Sequence, residues 1–217
     1  MKRYLLVEGI TDVALVKYIC VKSGIVEKFN DFKENKNHYV FNNLVIVNLE
    51  GQDKLKFELA LLKTEEKNIS KIGILQDADN NFQESFNAIK LEVENSHIEP
   101  SKIFCFLTPN NKDLGDLETL LLSTLDKENI PQLKCFQTYK DCLDTHIDIT
   151  TKAMDKAELH AYTMFAKNGK KTYTPKDSFM YKPNKRYNDT GLWDLSKDEF
   201  QPLIAFVKSI FLSDKER

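Results

Sequence analysis

This sequence is poor in the residues that staple or metallate small proteins: its 217 residues include only 4 cysteines and 4 histidines, with 7 glycines and 6 prolines. Cys20, Cys105, Cys135 and Cys142 show neither the close paired spacing of a zinc site nor a disulfide framework. Cys20 falls in a helical pattern and Cys105 in a strand pattern, so buried thiols in a reducing compartment are expected. No apolar run reaches membrane-spanning length and no secretory apolar segment precedes the first strand, so the expectation is a cytoplasmic protein with no membrane partner. Neither sign of charge dominates, with 31 basic and 33 acidic side chains and a formal net charge of -2. That balance excludes coating of nucleic acid by bulk charge, but not a local basic groove. Internal repeats and low-complexity segments are also lacking. The composition, 41% hydrophobic and 29% charged, suits one substantial core with or without a smaller appendage.

What the chain does have is an alternation of buried-strand and helix patterns. Tyr4 to Val7 reads as a strand, followed by a helix with Val13, Val16, Ile19 and Cys20 at helical spacing and Thr11 or Asp12 as its cap. Residues 26–43 have no clear period and read as a loop or short insertion. Leu44 to Val47 is a second strand, with Leu55, Leu59 and Leu62 on the helix after it. Ile72 to Leu75 is a third strand, with Phe82, Phe86, Ile89 and Val93 on its helix, and Ile103 to Leu107 a fourth. This order predicts an α/β fold: a mostly parallel four-stranded sheet with helices on both faces. The switch-point rule favours the first and third strands as neighbours. After Pro109 the pattern becomes helical but interrupted, giving a core over 1–125 and a mainly helical C-terminal extension over 126–217 packed on it. Helices are expected around Leu159, Tyr162, Phe165 and Ala166, and from about Glu199, with a long loop over 167–190.

Two of the apolar runs end abruptly in carboxylates. Val7 leads into Glu8, Gly9 and then Asp12, and Leu75-Gln76 leads into Asp77, Ala78 and Asp79. Acids at the carboxyl ends of parallel strands sit where open α/β folds bind ligands. Several there repel one another unless a cation joins them. In an extended segment Asp77 and Asp79 would point the same way, towards one ion. Hard cations such as Mg²⁺ take oxygen ligands and keep waters, so a few carboxylates suffice. Singly, each acid has an ordinary reading: Asp12 favouring the helix dipole, Asp79 capping the next helix. Glu118 is a further candidate ligand, or else a solvated acid in a helix that Asp116 caps.

For a phosphodiester the chain offers positive charge between 167 and 187. Lys167, Lys170, Lys171, Lys176, Lys182, Lys185 and Arg186 face only Asp177 and alternate with Tyr173, Phe179, Tyr181 and Tyr187. That mixture suits a groove that tracks a backbone and stacks unpaired bases. It equally suits a solvated loop whose aromatics pack on the core. Gly9 and Lys54 are placed at the same sheet edge. Lys156 and His160, one helical turn apart, are candidates for proton transfer if their helix approaches the acids, although a structural role suits His160 as well.

Val7-Glu8-Gly9 with Asp12, followed by Asp77-Ala78-Asp79 after a third hydrophobic strand, resembles the Toprim domain over roughly residues 3–122. That domain is shared by topoisomerases, bacterial primases, recombination proteins and nucleases of the overcoming-lysogenization-defect type. The resemblance implies a Toprim-like, Rossmann-like core in which Glu8, Asp77 and Asp79 bind Mg²⁺ or Mn²⁺. Asp12 is similar to the second acid of the OLD-type nucleases, which implies two ions. Gly115-Asp116-Leu117-Glu118, Leu192-Trp193-Asp194 and the stretch from Phe200 to Ile204 resemble a family of small bacterial Toprim proteins of unestablished activity.

The expected function is divalent-metal-dependent hydrolysis of DNA or RNA, with Glu8, Asp77 and Asp79 as the catalytic acids. Water is then the nucleophile. Two alternatives stand beside it: a metal-, nucleic-acid- or protein-binding module without turnover, and a small-molecule phosphotransferase or phosphohydrolase. A homodimer or partner protein is compatible with all three.

Overall fold

A computed structural model describes residues 1–166, 172–182 and 187–212. The apolar run at the start forms β1 (Lys2–Val7), and α1 (Ile10–Lys22) follows it directly. Next come β2 (Lys33–Asn35), β3 (His38–Phe41) and β4 (Leu44–Asn48), then α2 (Leu55–Thr64), β5 (Ile69–Asp77), α3 (Phe82–Ser96) and β6 (Ile103–Thr108). The helices α4 (Leu117–Ser123), α5 (Pro131–Leu143) and α6 (Thr151–Met164) precede a small hairpin of β7 (Met180–Tyr181) and β8 (Asn188–Asp189), and α7 (Gln201–Phe211) closes the described chain.

The central sheet has the order β2-β3-β4-β1-β5-β6. β1 lies parallel to both β4 and β5, and β5 parallel to β6. The protein is therefore α/β with a mostly parallel central sheet, but the sheet has six strands rather than the four expected. The two extra strands come from the stretch read as a loop or insertion: β2 and β3 form a hairpin added antiparallel to β4. β2 is exposed at every residue, Lys33-Glu34-Asn35, so it buries no alternating face for a sequence pattern to reveal. α5, without its own strand, also escaped the pattern; only Leu133 of it is buried.

Alternation along the strands splits the core in two. Leu5, Val7, Leu75 and Phe106 face α1, α4 and α7, whereas Leu6, Ile72, Ile74 and Leu107 face Leu55, Leu59 and Leu62 of α2 and Ile89 of α3. Gly73 allows the close seating of α7: a Cβ there would stand 2.8 Å from both Ile210 and Leu5. The aromatic residues of the basic segment pack against other rings. Phe179 is fully buried between Tyr18 and Trp193, Tyr187 lies 4.7 Å from Phe29 and Tyr173 meets Tyr181 edge-on. Of the two readings, packing on the core holds for Phe179 and Tyr173, which are buried, whereas Tyr181 and Tyr187 are half-buried.

Candidate functional site

The first turn brings Glu8 and Asp12 together. β1 ends at Val7, Gly9 starts the helix in an extended conformation, and the backbone N–H of Gly9 donates to Asp12 Oδ2 at 2.9 Å. The cap is thus Gly9 supported by Asp12, rather than Thr11 or Asp12 itself. One oxygen of Asp12 is committed to this turn and the side chain is buried.

Asp77 ends β5 beside the end of β6. Its Oδ1 accepts from the Thr108 hydroxyl at 2.6 Å and from the Leu117 backbone N–H at 3.0 Å. Asp79, two residues on, has a left-handed φ of 49° and so does not continue the strand; asparagine and aspartate tolerate this conformation better than most residues. Its charge and that of Asp77 both act on the Lys152 ammonium. The Asp79 carbonyl accepts from Gly115 N–H at 2.8 Å, tying this turn to the loop before α4. The cap of α3 is Asn81, which accepts from Gln83 and Glu84, so Asp79 is free of that duty.

Glu8 and Asp79 meet through Gln52. Its amide nitrogen donates to Glu8 Oε2 at 3.1 Å and to Asp79 Oδ2 at 2.9 Å, using both of its N–H groups. The other oxygen of Asp79 takes the ammonium of Lys152, from the first turn of α6. Gln52 and Lys152 are the site residues that sequence reasoning missed. Gln52 carried a usable signal, since it directly follows Gly51 at the carboxyl end of β4. Lys152 carried none: nothing in its neighbourhood distinguishes it from other surface lysines.

The charges act on one another. Burial, then the charges of Asp77 and Glu8, push Asp12 well above the usual carboxylate range. Burial and Glu8 raise Asp77, against the pull of the Thr108 hydrogen bond. Burial and Asp116 raise Glu118, whose own charge also bears on Asp12. Burial works against the Lys152 ammonium, but its bond to Asp79 and the charges of Asp79, Asp77 and Glu8 outweigh that and raise its pKa. Among the described residues no three acids, histidines or cysteines are set as a ready-made metal cage. Gln52 and Lys152 hold Asp79, while Thr108 and Leu117 hold one side of Asp77.

The other expected residues are more dispersed. Asp116 caps α4 through Thr119, and Glu118 is half-buried in its first turn. Lys54 is exposed and pairs with Glu50 at 3.2 Å. Lys156 is near enough to Glu118 to oppose the rise in its pKa, whereas His160, one turn on, is exposed. Lys176 joins Glu8, Gly9, Lys36 and Tyr39 around a cleft of about 600 Å³. Lys167, Lys170, Lys171, Lys185 and Arg186 lie outside the described residues.

The profile of the family described as "Protein of unknown function (DUF3226)" matches residues 2–212. The chain belongs to the DUF3226 family. No curated protein sequence matches this DUF3226 chain. Its fold is similar to that of a solved structure described as the crystal structure of hypothetical protein PH0156 from Pyrococcus horikoshii OT3, at 18% identity and a TM-score of 0.54, over 98% of this chain and 96% of that one. At that identity the likeness concerns the fold of DUF3226 alone. No helix among the described residues is long and apolar enough to cross a membrane.

Proposed function

We propose that this protein is a Toprim-like, divalent-metal-dependent phosphodiesterase acting on nucleic acid. The observation that carries the reading is the convergence of Glu8, Asp12 and Asp77 from the ends of two adjacent parallel strands, with Asp79 joined to Glu8 by a single amide nitrogen. These acids, with Asp12 and Asp77 raised first by burial and then by neighbouring carboxylates, form a donor set of oxygens only. Such a set suits a hard cation that keeps several waters, as Mg²⁺ and Mn²⁺ do.

Glu8, Asp77 and Asp79 are the residues that would hold the ion or ions, with Asp12 behind them and Glu118 at the margin. When bound, the metal supplies Lewis acidity towards the phosphodiester and its attacking water. Asp77 is oriented for this by Thr108 and by the first N–H of α4, so its remaining oxygen is fixed in direction. Gln52 sets the spacing between Glu8 and Asp79. Lys152 supplies positive charge beside the acids, and the cleft next to Glu8 carries Lys36 and Lys176 together with Glu34 and Glu50.

A second reading, a binding module without turnover, is favoured by one observation. The Lys152–Asp79 ion pair already gives one acid an internal counter-charge. A cleavage assay on fluorescent single- and double-stranded DNA and RNA with Mg²⁺ or Mn²⁺ separates the two. Turnover that disappears in Asp77→Asn supports hydrolysis. Metal-dependent binding of the same oligonucleotides with no product favours the module, and neither binding nor product defeats both.

A further inference from the structure

The helix α5 gives its own chain little to hold. Of its 13 residues only Leu133 is buried, with Phe136, Lys140 and Leu143 half-buried, and it packs on α6. A helix this short owes most of its stability to packing. Its other side carries a pattern. Residues seven apart on a helix fall about 20° from one another, two turns along the axis. Cys135 and Cys142 form one such pair, and Lys134 and Asp141 form a second immediately beside it. All four are exposed, as are Thr138 and Tyr139 midway between them. Tyr139 keeps 56% of its surface in solvent, yet its ring already rests beside that of Phe136, with centroids 5.8 Å apart. An exposed aromatic that needs little further ordering is the kind of residue that anchors interfaces.

We propose that this face of α5 docks against the same face of a second copy of the chain, the two helices antiparallel about a two-fold axis. The residues along the face are self-complementary under that operation. An axis between Thr138 and Tyr139 sets Cys135 of each copy opposite Cys142 of the other. It also sets Lys134 of each copy against Asp141 of the other, giving two pairs of opposite charge. A parallel pairing would instead bring lysine to lysine and aspartate to aspartate. Gln137 donates to one oxygen of Asp141 at 2.6 Å, which leaves the second oxygen for the lysine. At the axis Tyr139 of each copy covers Thr138 of the other, and the small cysteines on either side let the helices approach closely. The contact is one helix long, about 20 Å, so it belongs with small reversible interfaces and not with obligate ones. It does not depend on the chemistry of the acids.

The test is sedimentation velocity on the full chain in reducing buffer, from about 5 to 500 μM. Dimers are expected with Kd of about 10–100 μM, as suits a small interface. Asp141→Lys and Lys134→Asp each set like charges together twice in the dimer, and each is expected to weaken it about tenfold. Both positions are exposed, and circular dichroism checks that the fold is kept. The double variant, Lys134→Asp with Asp141→Lys, restores opposite pairs and is expected to return Kd to within about twofold of the wild type. Copper phenanthroline in air then traps the wild-type dimer, each disulfide passing two electrons and two protons to dioxygen. The linked peptides are expected to join Cys135 to Cys142. A chain that stays monomeric over the whole range overturns the proposal and leaves the face to a different protein. It is overturned equally by a dimer that neither single reversal weakens, by a double variant that stays weak, and by links of Cys135 to Cys135.

Discussion

The ammonium of Lys152 bonds to Asp79 across 73 residues of sequence, joining the C-terminal helices to the acidic edge of the sheet. It stands among carboxylates where a metal ion would compete for the same oxygen. Replacing it with an uncharged residue of similar length, Lys152→Met, frees Asp79. Mn²⁺ binding, followed by electron paramagnetic resonance, is expected to tighten about five- to tenfold, the size of a typical coupling between sites. Unchanged or weaker Mn²⁺ binding would mean that Lys152 and the metal do not share Asp79.

Asp12 and Asp77 are held above their normal pKa range by burial and by neighbouring acids, so their charged forms destabilise the metal-free fold. Asp12→Asn keeps an oxygen for the Gly9 N–H and removes a charge. The melting temperature of the metal-free protein is expected to rise, equivalent to roughly 1 kcal/mol or more. Stabilisation by added Mg²⁺, about 2.7 kcal/mol at a hundredfold excess over Kd, is expected to shrink in the same variant. A variant that melts lower without metal and still gains fully from Mg²⁺ contradicts the repulsive cluster.

Lys17 is buried against aromatic rings, with its ammonium 4.1 Å from the Phe29 centroid and 5.2 Å from that of Tyr39. Burial lowers its pKa to about 8, from 10.5, with Glu34 opposing and Lys176 assisting. Between those values the unfolded chain binds more protons than the folded one, so this group's contribution to stability rises with pH across that window. Lys17→Met is therefore expected to be the more stable protein at pH 7. Its advantage over the wild type should fall by on the order of 2–3 kcal/mol by pH 10.5. Denaturant titrations of both proteins across this range check it, and a constant difference overturns it.

Gly73→Ala tests the seat of α7. A Cβ there meets Ile210 and Leu5 at 2.8 Å, closer than packed carbons tolerate. Overpacking of this kind destabilises by about 1–3 kcal/mol, read as a lower urea midpoint with an unchanged slope. A neutral substitution would mean that α7 moves aside freely.

Much of this architecture is legible in local patterns. Leu44–Val47 and Ile72–Leu75 are continuous apolar runs because both faces of a parallel strand are covered, and Leu55, Leu59 and Leu62 repeat because α2 buries one stripe. β2 escaped because an exposed edge strand needs no apolar period. The left-handed φ of Asp79 breaks the extended backbone on which the paired orientation of Asp77 and Asp79 was expected. No side-chain pattern reports that torsion; it accompanies the hydrogen bond from Gly115, far along the chain.

By itself, the order of residues determined that acids end the buried strands, because hydrophobic runs and their abrupt polar ends are local properties of the chain. Only the folded molecule decided what those acids face: Gln52 between Glu8 and Asp79, and Lys152 arriving from α6. Those relations are set by strand register and helix packing, which sum over many distant contacts, so no short stretch of sequence contains them.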